Sequence, residues 1–206
     1  MGSRIMHFMI AEQTARKLSG GSSPEFLLGG IAPDARQPKD ITHFYLKDEQ
    51  QITRHIGYMP FMQKYSSFIE AKDEYILGYL CHLIADDIWL QAFYLPWLRK
   101  LIEENPGQYE KYHRDFRNLN GKLLQWSHIG DLKQKLDGPV RGTDIEELPF
   151  DEVLRFLPAF LEDFEYTNDA IDCELQVFTM EQITEYIETS VQMSVSILGQ
   201  ILYAVK

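Results

Sequence analysis

The sequence predicts an all-α protein, a single multi-helix bundle over residues 1–206. Three observations carry that reading. Apolar residues recur at spacings of three and four along most of the chain. No stretch alternates apolar and polar residues for long enough to read as a half-buried strand. Cap and breaker residues punctuate the periodic runs. A chain of 206 residues with 45% hydrophobic and 25% charged residues can bury one sizeable core.

In chain order, Ser3 is placed to cap a first helix over residues 3–18, and the Ser-Gly-Gly-Ser-Ser-Pro run at 19–24 breaks it. Residues 26–31 are apolar but short. Residues 32–38 read as an ordered loop in which Pro33 and Pro38 fix φ. Residues 42–54 fit a helix or irregular chain equally well. The clearest helix is 71–94, with Ile76, Leu80, Leu83 and Leu90 on its apolar positions. Pro96 ends or kinks it, and 96–104 can start another. After the Asn-Pro-Gly turn at 105–107, residues 109–129 read as a helix bent near Gly121, and 135–149 as a loop. A helix over 150–169 should kink at Pro158. Thr179 and Gln182 fit a capping box for a last helix, whose face is traced by Ile183, Ile187, Val191, Leu198, Ile201, Leu202 and Val205.

Composition excludes several classes. No segment approaches the ~18 apolar residues of a membrane span. The first residues lack a cleavage-like region, so they read as helix rather than signal peptide. Two cysteines, Cys81 and Cys173, make no disulfide framework; both read as buried thiols in a reducing compartment, which points to the cytoplasm. The net charge is −11, and residues 144–188 hold 14 of the 31 acids against one base, Arg155. That segment reads as the solvated face of amphipathic helices, and its charge argues against stable nucleic-acid binding.

The residues that carry chemistry are few. His82 and Asp86 stand at i and i+4 on the clearest helix, so both face one side and can grip one ion. That helix is apolar on both flanks, and a polar pair there needs a partner or a metal. Asp34 sits in the proline-bounded loop, and His43 follows nine residues on. His7 lies on the first helix. Together His7, Asp34, His43, His82 and Asp86 form a mixed imidazole and carboxylate set. It suits Zn²⁺, with Mn²⁺, Fe²⁺ and Ni²⁺ as alternatives, and not Ca²⁺ or Mg²⁺. His55, His113 and His128 have weaker claims; His113, beside Asp115, reads as part of a charged helix face. Phe93, Tyr94, Trp97 and Trp126 read as core, and Arg36, Lys39 and Arg54, close in sequence to the ligands, as solvated charges by default that could instead meet a phosphate.

The order of these elements is specific. Met-His-Phe at 6–8, Gly-Ile-Ala-Pro-Asp at 30–34, Thr-His-Phe at 42–44 and Gly-Tyr-Leu-Cys-His-Leu-Ile-Ala-Asp at 78–86 resemble the zinc-dependent phospholipase C and P1 nuclease superfamily. The resemblance covers residues 1–95. It implies an all-α bundle of that type and a phosphate-ester hydrolase using metal-activated water. Asp34, His43, His82 and Asp86 would hold one metal, and Asp86 would bridge to a second held also by His7. Catalytic roles fall to Asp34, as ligand and proton acceptor, with Asp86 as the alternative base. The chain lacks the family's later His-x-x-x-Glu pair and its N-terminal Trp, so one or two metals are expected rather than three.

The expected partner is a small phosphorylated substrate. The alternative is a non-catalytic helical interaction module that retains a structural metal. An HD-type phosphohydrolase is disfavoured because none of the six histidines is followed by Asp.

Overall fold

Ser3 accepts a hydrogen bond from the Met6 N–H at 3.2 Å and opens helix α1 (Arg4–Ser19), which Gly20 closes from the left-handed region at φ 81°. The computed structural model describes residues 2–47, 54–127 and 129–203. Residues 5–12 of α1 are all buried, so this helix runs through the core rather than over it. Ser23 caps α2 (Pro24–Gly29), with Pro24 in the first turn, where its missing N–H costs nothing. A 3₁₀ turn, Ala32–Ala35, follows.

The next segment corrects the sequence reading. The described residues of 42–54 are not helical: a turn at 41–44 leads into β1 (Tyr45–Lys47), which pairs antiparallel with β2 (Arg54–Ile56), Leu46 facing His55. Strands of three residues are too short to show alternation, which is why none was visible. Helices α3 (Tyr58–Lys64) and α4 (Ser66–Glu70) then lead to Asp73, whose carboxylate caps α5 (Glu74–Trp89) three residues later than expected.

Pro96 does not end the helical rod. α5 runs on into a π-helical segment, Leu90–Leu98, and then α6 (Arg99–Glu104). Proline removes one donor and crowds the carbonyl four residues back; the wider π turn makes room for the ring. Beyond it lie α7 (Gln108–Ser127), a 3₁₀ turn, Gly130–Leu136, and α8 (Phe150–Leu161). The helix expected over 150–169 stops at Leu161, because Glu165 is extended and Thr167 caps a separate α9 (Asn168–Asp172). Thr179 and Gln182 exchange the two hydrogen bonds of a capping box, at 3.0 and 3.1 Å, ahead of α10 (Met180–Tyr203). Val205 lies outside the described residues.

α10 packs against α1 and α5, and buried apolar residues from all three join one continuous core. No acid of 144–188 is buried, in keeping with a solvated face. No described helix is long and apolar enough to cross a membrane. Cys81 is buried, but Cys173 is exposed, since it lies just past the short α9 rather than in a packed helix. Trp126 is likewise exposed rather than core, at the last turn of α7.

Two glycines set the contact that matters for the site. α2 lies against α5 nearly backbone to backbone: a Cβ at Gly78 would stand 2.1 Å from the Phe26 carbonyl oxygen, and one at Gly29 would stand 2.1 Å from that of Tyr75. Only residues without a side chain permit this approach. It carries the loop after α2 over the middle of α5, one turn from His82.

Candidate metal centre

The five residues singled out in the sequence come together, and all five are buried. α1 supplies His7, the 3₁₀ turn Asp34, the turn before β1 His43, and α5 both His82 and Asp86. The ring nitrogens His43 Nε2 and His82 Nε2 are 3.3 Å apart. Asp86 Oδ2 lies 3.2 Å from the first and 3.5 Å from the second. Asp34 Oδ1 is 3.5 Å from His43 Nε2. The other oxygen of Asp86, Oδ1, lies 3.2 Å from His7 Nε2. Two three-residue sets, His7/His82/Asp86 and Asp34/His43/His82, each bring their ligand atoms within 4.8 Å of one another.

The outer contacts fix which atoms face inward. His82 Nδ1 is 2.9 Å from the Gly30 carbonyl, which can only accept, so Nδ1 carries the proton and Nε2 presents its lone pair. His43 Nδ1 likewise donates to the Lys39 carbonyl at 3.1 Å. Thr42 braces this turn by donating to the Pro33 carbonyl at 2.9 Å, and Tyr79 donates to the Thr42 carbonyl at 2.6 Å. Such second contacts orient metal-binding histidines in general.

The result is a cluster of acceptors aimed at one another. A cation among the two imidazole lone pairs and the Asp86 carboxylate would offset their repulsion, as the Lys39 ammonium does for Asp34. Donors about 2.0–2.1 Å from a tetrahedral zinc stand about 3.3 Å apart, and the spacings of 3.2–3.5 Å around His43, His82 and Asp86 match that edge. Three imidazoles with two carboxylates suit a borderline transition metal and not Ca²⁺ or Mg²⁺. The residues therefore fit a metal ion.

Electrostatics agree with neutral, metal-ready histidines. Burial pushes the His7, His43 and His82 imidazoles below their ordinary value, and for His7 the neighbouring His82 adds to this. Burial alone would raise the Asp34 carboxyl, but the Lys39 ammonium paired with it holds it well below the usual range. Histidines with a depressed native pKa bind fewer protons folded than unfolded. Metal-free protein should thus lose stability as the pH falls below about 6.5, by up to about 1.4 kcal/mol per pH unit for each imidazole. Urea unfolding with a chelator present, at pH 7.5 and pH 5.5, checks this; equal midpoints would contradict it.

Asp34 and Lys39 also line a cavity of about 670 Å³, and Asp34 is the one residue of the cluster that reaches it. The charge of Lys39 is therefore engaged rather than solvated. Arg36 turns elsewhere, donating to the Glu147 carbonyl at 2.9 Å, and the Arg54 side chain is outside the described residues. His113 is half-buried in the cavity wall, not on a solvated face. Its neighbour Asp115 is wholly buried and accepts backbone N–H groups from Gln176, Val177 and Phe178, a structural brace for the loop before α10. Tyr94 lines the cavity too. His55 is exposed on β2, and His128 lies outside the described residues. Sequence reasoning missed the cavity role of Arg4 and allowed no more than one residue of the 109–117 face at a cleft, where Tyr109, His113 and Arg117 all line it. The spacing of Tyr109, His113 and Arg117 at every fourth residue was the available signal.

The chain matches no protein-family model, no curated protein and no solved structure.

Proposed function

We propose that the protein is a metal-dependent hydrolase of phosphate esters. The observation that carries this is the cluster of His7, Asp34, His43, His82 and Asp86, which meets, through Asp34, a cavity that Lys39 and Arg4 also line. Asp34, His43, His82 and Asp86 would hold one ion, and His7 with the second oxygen of Asp86 would contribute to another. Zn²⁺ is the favoured metal, with Mn²⁺, Fe²⁺ and Ni²⁺ as alternatives. A bound Zn²⁺ lowers the pKa of water to about 7 and so supplies a nucleophile at neutral pH.

The protein's own groups have distinct tasks. Asp34 reaches the cavity and can accept the proton of the attacking water; Asp86, fully buried, is better placed to hold charge than to exchange protons with substrate. Lys39, tethered to Asp34, can meet a phosphate oxygen. Arg4 is paired with Asp163 at 2.6 Å, which holds its guanidinium at the cavity edge. The resemblance of residues 1–95 to the phospholipase C and P1 nuclease superfamily supports the same reading.

One observation favours a second reading, a structural metal in a non-catalytic helical module. The side chains of His7, His82 and Asp86 are shut off from solvent, as in closed structural sites. Elemental analysis of protein purified without a histidine tag should find at least about one transition metal per chain. Metal-loaded protein should then hydrolyse at least one member of a panel of mono- and diesters, and chelation should abolish it. Metal with a blank panel selects the structural reading; no metal and no uptake of Zn²⁺ removes both.

A further inference from the structure

The cavity has a wall that the ion cluster does not explain. α7 presents Tyr109, His113, Arg117 and Asn120 to it, at offsets of four, eight and eleven residues that keep them on one helix face. Two polar atoms of this wall have no hydrogen-bond partner: His113 Nε2 and Asn120 Oδ1, each shielded from solvent. Burial first, then the charge of Arg117, pushes the His113 imidazole down. The shift favours the neutral ring, with one nitrogen to donate and one to accept. A modest side-chain rotation into the cavity becomes favourable once a ligand offers either atom a partner.

We propose that this α7 face recognises the alcohol part of the ester, and that the preferred ligand is the phosphate of a polyol or sugar rather than of an alkyl or acyl chain. The inference rests on the hydrolase reading above for the phosphate end. Seven residues separate His113 from Asn120, about 10 Å along a helix. That exceeds the size of a phosphate group, so only an extended ligand satisfies both. A hydroxyl both donates and accepts, and it can pair with an imidazole nitrogen and an amide oxygen alike. An alkyl chain leaves both atoms unpaired, and sites with such buried polar groups discriminate strongly against ligands that cannot pair them. The rings of Tyr109 and, from the π-helical segment, Tyr94 add flat faces against which a sugar ring can lie.

The test is calorimetric titration of zinc-loaded protein with three probes that are not hydrolysed: inorganic phosphate, the phosphonate analogue of glucose 6-phosphate, and hexylphosphonate. The sugar phosphonate should bind about tenfold or more tighter than hexylphosphonate. His113→Leu and Asn120→Leu should each weaken the sugar phosphonate about tenfold while leaving inorganic phosphate and hexylphosphonate unchanged or tighter. Equal or tighter binding of hexylphosphonate to the unaltered protein overturns the proposal, as do Leu variants that fold, keep their metal and still bind the sugar phosphonate normally. Should the variants fail to fold, the comparison on unaltered protein decides alone. Failure of inorganic phosphate to bind in a zinc-dependent way overturns the hydrolase reading, and this proposal with it.

Discussion

His82→Ala should strip the protein of its metal and lower its melting temperature by about 8–16 °C. Binding to the native state alone adds about 4 kcal/mol at a thousandfold excess of ion over Kd, and a chain of this size shifts by about 2–4 °C per kcal/mol. His82 is the residue shared by both candidate ligand sets, so its loss damages either site. The change also removes the ring stacked on His7 at 3.8 Å and leaves the Gly30 carbonyl without its donor. Elemental analysis and scanning calorimetry read the outcome. With chelator added to both proteins the gap should shrink, because only the lost packing then remains. His113→Ala should keep the metal, since His113 lies in neither ligand set. Full metal content in His82→Ala would place the ion elsewhere.

The second large effect is expected at a residue that is itself no ligand. Gly78→Ala adds one methyl group, but its Cβ would lie 2.1 Å from the Phe26 carbonyl oxygen, well inside van der Waals contact. Backbone cannot yield as a side-chain tip can, so α2 and α5 must part. The cost is about 3 kcal/mol or more, at the upper end of overpacking. Separation also draws the Gly30 carbonyl off His82 Nδ1, and loss of such an orienting contact typically lowers metal affinity 10–100-fold. Gly138→Ala is the control, because nothing lies within 4 Å of a Cβ there. Zinc titration against a competing chelator, with denaturant unfolding, measures both. A Gly78→Ala protein that matched the original in affinity and stability would show that this close approach does not place Gly30.

Much of this was legible from local pattern. Ser3 as a cap, the Thr179–Gln182 box and the faces of α5 and α10 follow from spacing alone. The pairing of His82 with Asp86 was readable because a helix fixes the geometry of i and i+4. The link to His7, Asp34 and His43 needed the order of motifs, since no local rule joins residues from four elements. What stayed hidden depended on the fold as a whole. The three-residue strands offered no period to detect. Pro96 reads as a stop or a kink by its chemistry, and only the packed rod shows the turn widening to keep it. His113 and Asp115 look alike as neighbours on a charged helix, yet one lines a cavity and the other braces a loop; tertiary contacts separate them.

The widened turn at Leu90–Leu98 divides one continuous rod into two territories. His82 and Asp86 lie before it, in regular α-helix, while Tyr94 lies within it. An insertion or deletion inside the widened stretch would turn everything downstream by about 100° per residue and leave the upstream ligands where they are. The cavity wall can therefore be retailored without disturbing the His and Asp cluster upstream.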